Sequence, residues 1–139
     1  MKRAIPYSLL SLGMDPQPAK EGTSLDGNTH RAEPIEVWKA RKFIQENLEE
    51  RISLAEVART VRVNRSYLSE RFKEVTGENF VSYIARARVE KARELLATSG
   101  ARISEIAFAA GFQSLSQFNR VFKKRCGQSP RAYREALRR

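Results

Sequence analysis

From Leu115 to the end of the chain, eight basic side chains (Arg120, Lys123, Lys124, Arg125, Arg131, Arg134, Arg138 and Arg139) stand against a single acid, Glu135. Cations this dense attract a polyanion; the plain alternative is a solvated helix face. Over the whole chain, 26 Lys and Arg against 16 Asp and Glu leave a net charge of +10. The stretch up to Pro34 adds nothing to it, because Lys2, Arg3, Lys20 and Arg31 cancel Asp15, Glu21, Asp26 and Glu33. The excess therefore lies beyond Pro34 and is strongest near the C-terminus.

Other chemistries have little to work with. Catalysis needs a nucleophile, a base or a metal brought together with partner groups, and the chain has one histidine, His30, and one cysteine, Cys126. His30 has no second ligand near it in sequence. Cys126 alone forms no intramolecular disulfide and no cysteine zinc cluster, and its solitude suits a reducing compartment. It borders the last glycine stop and is expected to be a small apolar filler, although Lys124 and Arg125 beside it could lower its pKa. No stretch approaches the roughly 20 apolar residues of a membrane span. The start, Met1-Lys2-Arg3 and then Ile5 to Leu12, resembles a signal peptide only weakly, because Pro6 and two serines interrupt it. The expectation is a cytoplasmic protein that is not an enzyme, with no cofactor, no metal and no membrane partner.

The elements that must carry the basic side chains are helices. Residues 13–34 hold Gly13, Pro16, Pro18, Gly22, Gly27 and Pro34 among polar residues, the composition of a flexible N-terminal arm or linker over 1–34. Beyond it the only proline is Pro130 and apolar residues recur at three and four, which predicts an all-α fold. Ile35, Trp38, Phe43 and Leu48 fall in a first helix ending near 48–50. Ser53 with Glu56 has the spacing of a capping box, so a helix should start at Leu54. Asn64 caps the next, which carries Tyr67, Leu68, Phe72 and Val75 to a stop at Gly77. Asn79 opens a long helix from Phe80 to about Thr98, closed by Gly100. Ile103, Ile106, Ala107 and Ala110 begin the pattern again, with a stop at Gly111. Ser114 caps a basic helix from Leu115 to Cys126, and Ser129-Pro130 starts the last. Seven helices result.

The second half repeats the first. Leu54, Glu56, Val57, Ala58 and Val63 match Ile103, Glu105, Ile106, Ala107 and Phe112 at an offset of 49; Ser66, Leu68, Phe72, Lys73, Gly77, Asn79 and Tyr83 match Ser116, Phe118, Phe122, Lys123, Gly127, Ser129 and Tyr133 at 50. One residue is thus inserted between the paired helices of the second copy. Each copy has a short helix with a small residue (Ala58, Ala107) for close approach, a tight turn, and a second helix with a polar face, the logic of a helix-turn-helix. At the first turn Arg62 stands where the second has Gly111. A left-handed conformation there would cost arginine about 1 to 2 kcal/mol, so the first turn is expected to be built differently. Phe72, Tyr83, Phe112, Phe118, Phe122 and Tyr133 are expected to pack a core rather than stack on single-stranded bases. The organisation expected is a first subdomain with its linker helix over 35–99 and a second over 100–139.

These residues resemble the AraC/XylS family of bacterial transcription regulators over 35–139. The second copy carries most of the likeness: Ile106-Ala107, Gly111-Phe112, Phe118, Arg120, Phe122-Lys123-Lys124, Gly127, Ser129-Pro130 and Tyr133-Arg134. The resemblance implies two helix-turn-helix units on double-stranded DNA, their second helices in major grooves. A linker helix of about 28 Å would set them near the roughly 34 Å repeat of successive grooves.

It also implies roles. Ser66, Ser69 and Glu70 would face bases in the first unit, with Glu70 a departure from the family pattern that could accept from a cytosine amino group or lie solvated. In the second unit Ser116, Asn119 and Arg120 would face bases, Asn119 suited to adenine and Arg120 to guanine. Arg65, Lys73, Gln117, Lys123, Lys124, Arg125 and Arg131 would hold phosphates. The resemblance further implies an activator, contact with RNA polymerase, and a small-molecule effector acting only through another domain. A nonspecific basic DNA binder and a helical protein-interaction module remain the alternatives.

Overall fold

A computed structural model of the protein describes residues 33–139. Among the described residues it is all-helical: α1 (Ile35–Glu46), α2 (Leu54–Val61), α3 (Arg65–Thr76), α4 (Phe80–Thr98), α5 (Ile103–Ala109), α6 (Leu115–Cys126) and α7 (Pro130–Leu137). The arm expected over 1–34, apart from Glu33 and Pro34, lies outside the described residues, as does His30.

Two compact units form: one takes the described residues through Asn47 with Ile52–Phe80, the other Leu48–Arg51 with Val81–Arg139. All of α4 but its first residue thus belongs with the second unit, whereas the sequence reading set the boundary between 99 and 100.

In the first unit, Val37, Ala40 and Ile44 recur at three and four along α1, and all three are buried with Val57, Ala58, Leu68, Phe72 and Phe80. The Phe72 and Phe80 rings meet edge to face at 5.8 Å, the arrangement the ring quadrupoles favour. α1 stops at Glu46, short of the expected 48–50. The Asn47 side-chain amide donates to the Phe43 carbonyl there, and Leu48 leaves with the other unit. Glu33, just before α1, takes a two-pronged bond from Arg41 at 2.9 and 3.0 Å. The starts of α2 and α3 are as the spacing predicts: Ser53 Oγ accepts from the Glu56 amide and Asn64 Oδ1 from the Tyr67 amide.

In the second unit, Val89, Ala92 and Leu96 of α4 close over Ile106, Ala107, Ala110, Phe112, Phe118 and Phe122. Rings run through this core in series, Phe112 to Phe118 at 5.0 Å, Phe118 to Phe122 at 5.5 Å and Phe122 to Tyr133 at 5.5 Å. The expected packing role of these aromatics is what is found. Ser114 and Ser129 cap α6 and α7 through their hydroxyls.

The two turns share one construction. In the first, the Val63 amide donates to the Ala58 carbonyl and Arg62 to Arg59; in the second, Phe112 donates to Ala107 and Gly111 to Phe108. This paired pattern needs a left-handed residue after the helix, and Arg62 supplies it at φ 66 as Gly111 does at φ 105. The expectation that the first turn is built differently is therefore overturned. The two capping bonds and the burial of Val57 and Ala58 outweigh a local strain of about 1 to 2 kcal/mol.

Gly100 is not the stop of α4: its φ is not positive. The buried Arg134 closes the helix instead, donating to the carbonyls of Leu96, Ala101 and Ser99 at 3.4, 2.8 and 2.9 Å. A guanidinium carries enough donors to satisfy several of the carbonyls that a helix end leaves bare.

Candidate nucleic-acid interface

Each unit presents its second helix with one face buried and the opposite one polar. On α3, Leu68 and Phe72 are fully buried, while Arg65, Ser66, Glu70 and Lys73 are exposed and Ser69 is half-buried. On α6, Phe118 and Phe122 are fully buried, and Ser116, Asn119, Arg120, Lys123 and Lys124 are exposed. At about 100° per residue the latter five fall on an arc of about 140°, facing away from the two phenylalanines. The structure therefore brings together every base-facing residue expected on each helix.

The two polar stripes differ in charge. On α6 the stripe holds Arg120, Lys123 and Lys124 and no acid, a charge of +3. The matching positions on α3 hold Glu70, Lys73 and Glu74, a charge of −1. Glu74 accepts an ion pair from Arg71 at 2.6 Å, whereas Glu70 makes none among the described residues. Arg120, Lys123 and Lys124 likewise make no ion pair there, so their charge stays available to an external anion.

Three expected phosphate ligands stand apart from the stripe. Arg125 Nη2 donates to the Ser82 carbonyl and hydroxyl at 3.2 and 2.9 Å, so its guanidinium turns toward α4. Arg131 projects from α7, its Nε 4.0 Å from Glu135. Gln117 is half-buried, and its amide oxygen accepts from the Gln113 backbone N–H at 2.8 Å, which fixes the side chain against the turn. Tyr67, at the equivalent place on α3, gives its hydroxyl to Glu36 of α1 at 2.7 Å; that bond holds the Glu36 carboxyl below its ordinary pKa.

Cys126 packs against the second core, as expected of an apolar filler, and the cations beside it do not bring its pKa down. Burial pushes its thiol pKa up, and the lowering by Arg93 and Arg125 does not overcome it. A desolvated thiolate loses hydration that surface cations at a distance do not replace.

Sequence reasoning passed over Arg88, the backbone-holding role of Arg134, and Gln113 with Arg51, whose side chains meet at 3.1 Å. The insertion in the second copy was the signal for Gln113, since it falls between Phe112 and the Ser114 cap. No helix among the described residues is long and apolar enough to cross a membrane.

A family model described as a helix-turn-helix domain matches residues 57–136. The xylose operon regulatory protein of Escherichia coli is 36% identical over 99 residues, 71% of this chain and 25% of that protein. The chain spans 17 to 39% of the length of such curated relatives. Among solved structures, the C-terminal domain of AraT, a response regulator from Geobacillus stearothermophilus, superposes with a TM-score of 0.73 at 34% identity, over 75% of this chain and 87% of that one. The DNA-binding domain of AdpA, a global transcriptional factor in complex with a target DNA, gives 0.72 at 29% identity over 74% and 93%. Matched over most of its described length by a helix-turn-helix model and by regulators rather than enzymes, the chain belongs to the AraC/XylS family of transcription regulators.

Proposed function

We propose that the chain binds double-stranded DNA in a sequence-specific way, each unit laying its second helix in a major groove, and thereby regulates transcription as an activator in the cytoplasm. The observation that carries this reading is the α6 stripe. Asn119 and Arg120 are exposed side by side; the amide matches the donor and acceptor of adenine, and the guanidinium the two acceptors of guanine. Lys123 and Lys124 continue the same face toward the phosphates. On α3, Ser66, Ser69 and Glu70 read bases with less selectivity, while Arg65 and Lys73 hold the backbone. The structure of AdpA with its target DNA supports a duplex as partner. RNA polymerase is the partner through which activation would act, and a small-molecule effector would act through a domain other than these two units.

Selection of bound duplexes from a random pool tests this reading. The expected winner has two separate blocks of preferred bases, and Asn119→Ala with Arg120→Ala erases one of them. Equal retention of every sequence, with only a steep loss of affinity in added salt, would leave a nonspecific basic module.

A further inference from the structure

Arg51 lies outside both helix-turn-helix pairs, two residues before the Ser53 cap of α2, yet it belongs to the second unit. Its backbone is held there. Arg88 of α4 donates from Nε to the Leu48 carbonyl at 3.1 Å and from Nη2 to the Glu50 carbonyl at 2.8 Å. The Arg51 side chain then reaches the turn before α6, where Nη2 donates to Gln113 Oε1 at 3.1 Å. Gln113 in turn donates its backbone N–H to Gln117 Oε1 at 2.8 Å. Gln117 directly follows Ser116, the first exposed residue of the α6 polar stripe. An exposed guanidinium is thus fixed at the end of α6 from which Ser116 and Arg120 project.

Its one side-chain partner is neutral. Arg51 makes no ion pair among the described residues, so its charge is not cancelled by a direct contact. A neutral amide oxygen is also a weaker acceptor for a guanidinium than a phosphate oxygen, because charge-assisted bonds are about twice as strong. Glu49 and Glu50 precede Arg51 in sequence, and their repulsion of phosphate makes the cation the one group in this segment suited to face DNA.

We infer that Arg51 is a DNA-backbone ligand of the second unit, delivered beside α6 by the Arg88 clamp and handed from Gln113 to a phosphate when the duplex binds. The inference rests on the DNA-binding reading above. It adds a contact from a segment that precedes the first helix-turn-helix in sequence. Gln113, the inserted residue, then serves as the positioning residue that holds the guanidinium ready.

The experiment compares the wild-type chain with Arg51→Gln and Arg51→Lys on the duplex recovered from the random pool, titrated across salt. Each phosphate neutralised contributes about 0.9 to the slope of log affinity against log salt. Arg51→Gln is expected to weaken binding by about three- to tenfold near 0.1 M salt and to lower the slope by about one, for every sequence alike. Arg51→Lys keeps the slope. A purely structural Arg51 would instead lose affinity in both variants with the slope intact, and that result overturns the inference, as does an unchanged affinity and slope in Arg51→Gln. A wild-type chain that binds no duplex at all overturns the DNA-binding reading itself, and this inference with it.

Discussion

Arg62 and Gly111 occupy the same place in their turns and share a left-handed backbone, φ 66 and φ 105, yet only one of them has room for a side chain. A Cβ built on Gly111 would lie 2.0 Å from the Leu48 carbonyl oxygen and 2.6 Å from Arg88 Nε. Arg62 is exposed. Two demands fall on Gly111, a positive φ and a close approach of backbone, and only the first falls on Arg62. Gly111→Ala is therefore expected to destabilise the second unit by on the order of 3 kcal/mol, since the obstructing atom belongs to backbone that Arg88 holds in place. Arg62→Gly should gain up to about 1 kcal/mol, the relieved strain being partly offset by the entropy of a glycine in the unfolded chain. Urea denaturation of both variants checks the pair. Equal losses from the two substitutions would mean that the shared φ, not the space, sets the requirement.

Arg134 gives a second test. Its guanidinium serves three carbonyls at the end of α4 and the start of the following loop, and the residue is buried. Arg134→Met retains most of the aliphatic packing but leaves those acceptors without donors, at an expected cost of about 2 to 4 kcal/mol. Arg134→Lys should recover little, because one ammonium cannot match the planar fork. Amide hydrogen exchange should then quicken at the last turn of α4 and along α7 before it changes in α1 to α3. Uniform acceleration throughout, or none, would sink the assignment of Arg134 as the closure of that helix.

What was legible in the sequence and what was not divides by distance along the chain. Ser53, Asn64, Ser114 and Ser129 each bond an amide three residues ahead, so a residue type and a short spacing suffice to recognise them. The polar stripes of α3 and α6 follow from the same local period, which is why the expected base-facing residues share a face on each helix. Arg88 and Arg134 find their carbonyls 40 and 38 residues away, and no local pattern announces such partners. For the same reason the closure of α4 is assigned from sequence to Gly100 although Arg134 supplies it, and the bond of the Arg125 guanidinium to Ser82 goes unforeseen. At Cys126 the packing role is legible in the sequence, but the balance between its neighbouring cations and its burial is not.

Cys126 should accordingly be a slow nucleophile. Desolvation raises its thiol pKa above the ordinary value, so at pH 8 a smaller fraction is thiolate than in a free thiol. Alkylation by iodoacetamide is expected to run several-fold slower than that of glutathione, and to accelerate on going up in pH beyond the range where glutathione has levelled off. A rate at or above that of glutathione would show that Arg93 and Arg125 govern the thiol, and would reopen a reactive role for it.

Asn119 and Lys124 should separate base reading from backbone holding on one helix. Asn119→Ala is expected to cost about 1 to 3 kcal/mol on the selected duplex and to relax the preference at a single position. Lys124→Gln should weaken binding to all sequences alike and lower the salt slope by about one. Affinities for the selected and a scrambled duplex, each measured across salt, distinguish the two. If Asn119→Ala weakened both duplexes equally, the asparagine would not be reading a base.

Glu70 makes the unequal charge of the two stripes testable. It faces outward on α3 with no ion pair among the described residues, at the place where α6 has Arg120. A carboxylate near phosphates is repelled, but at a base-facing position it can accept a hydrogen bond from the cytosine amino group, the matching donor. Glu70→Gln removes the repulsion and weakens the acceptor. Affinity for scrambled DNA should therefore rise by a few-fold, while a cytosine preference in the block read by the first unit fades in a repeat of the random-pool selection. A rise in affinity with the first block unaltered would make Glu70 a solvated acid that only lowers nonspecific binding.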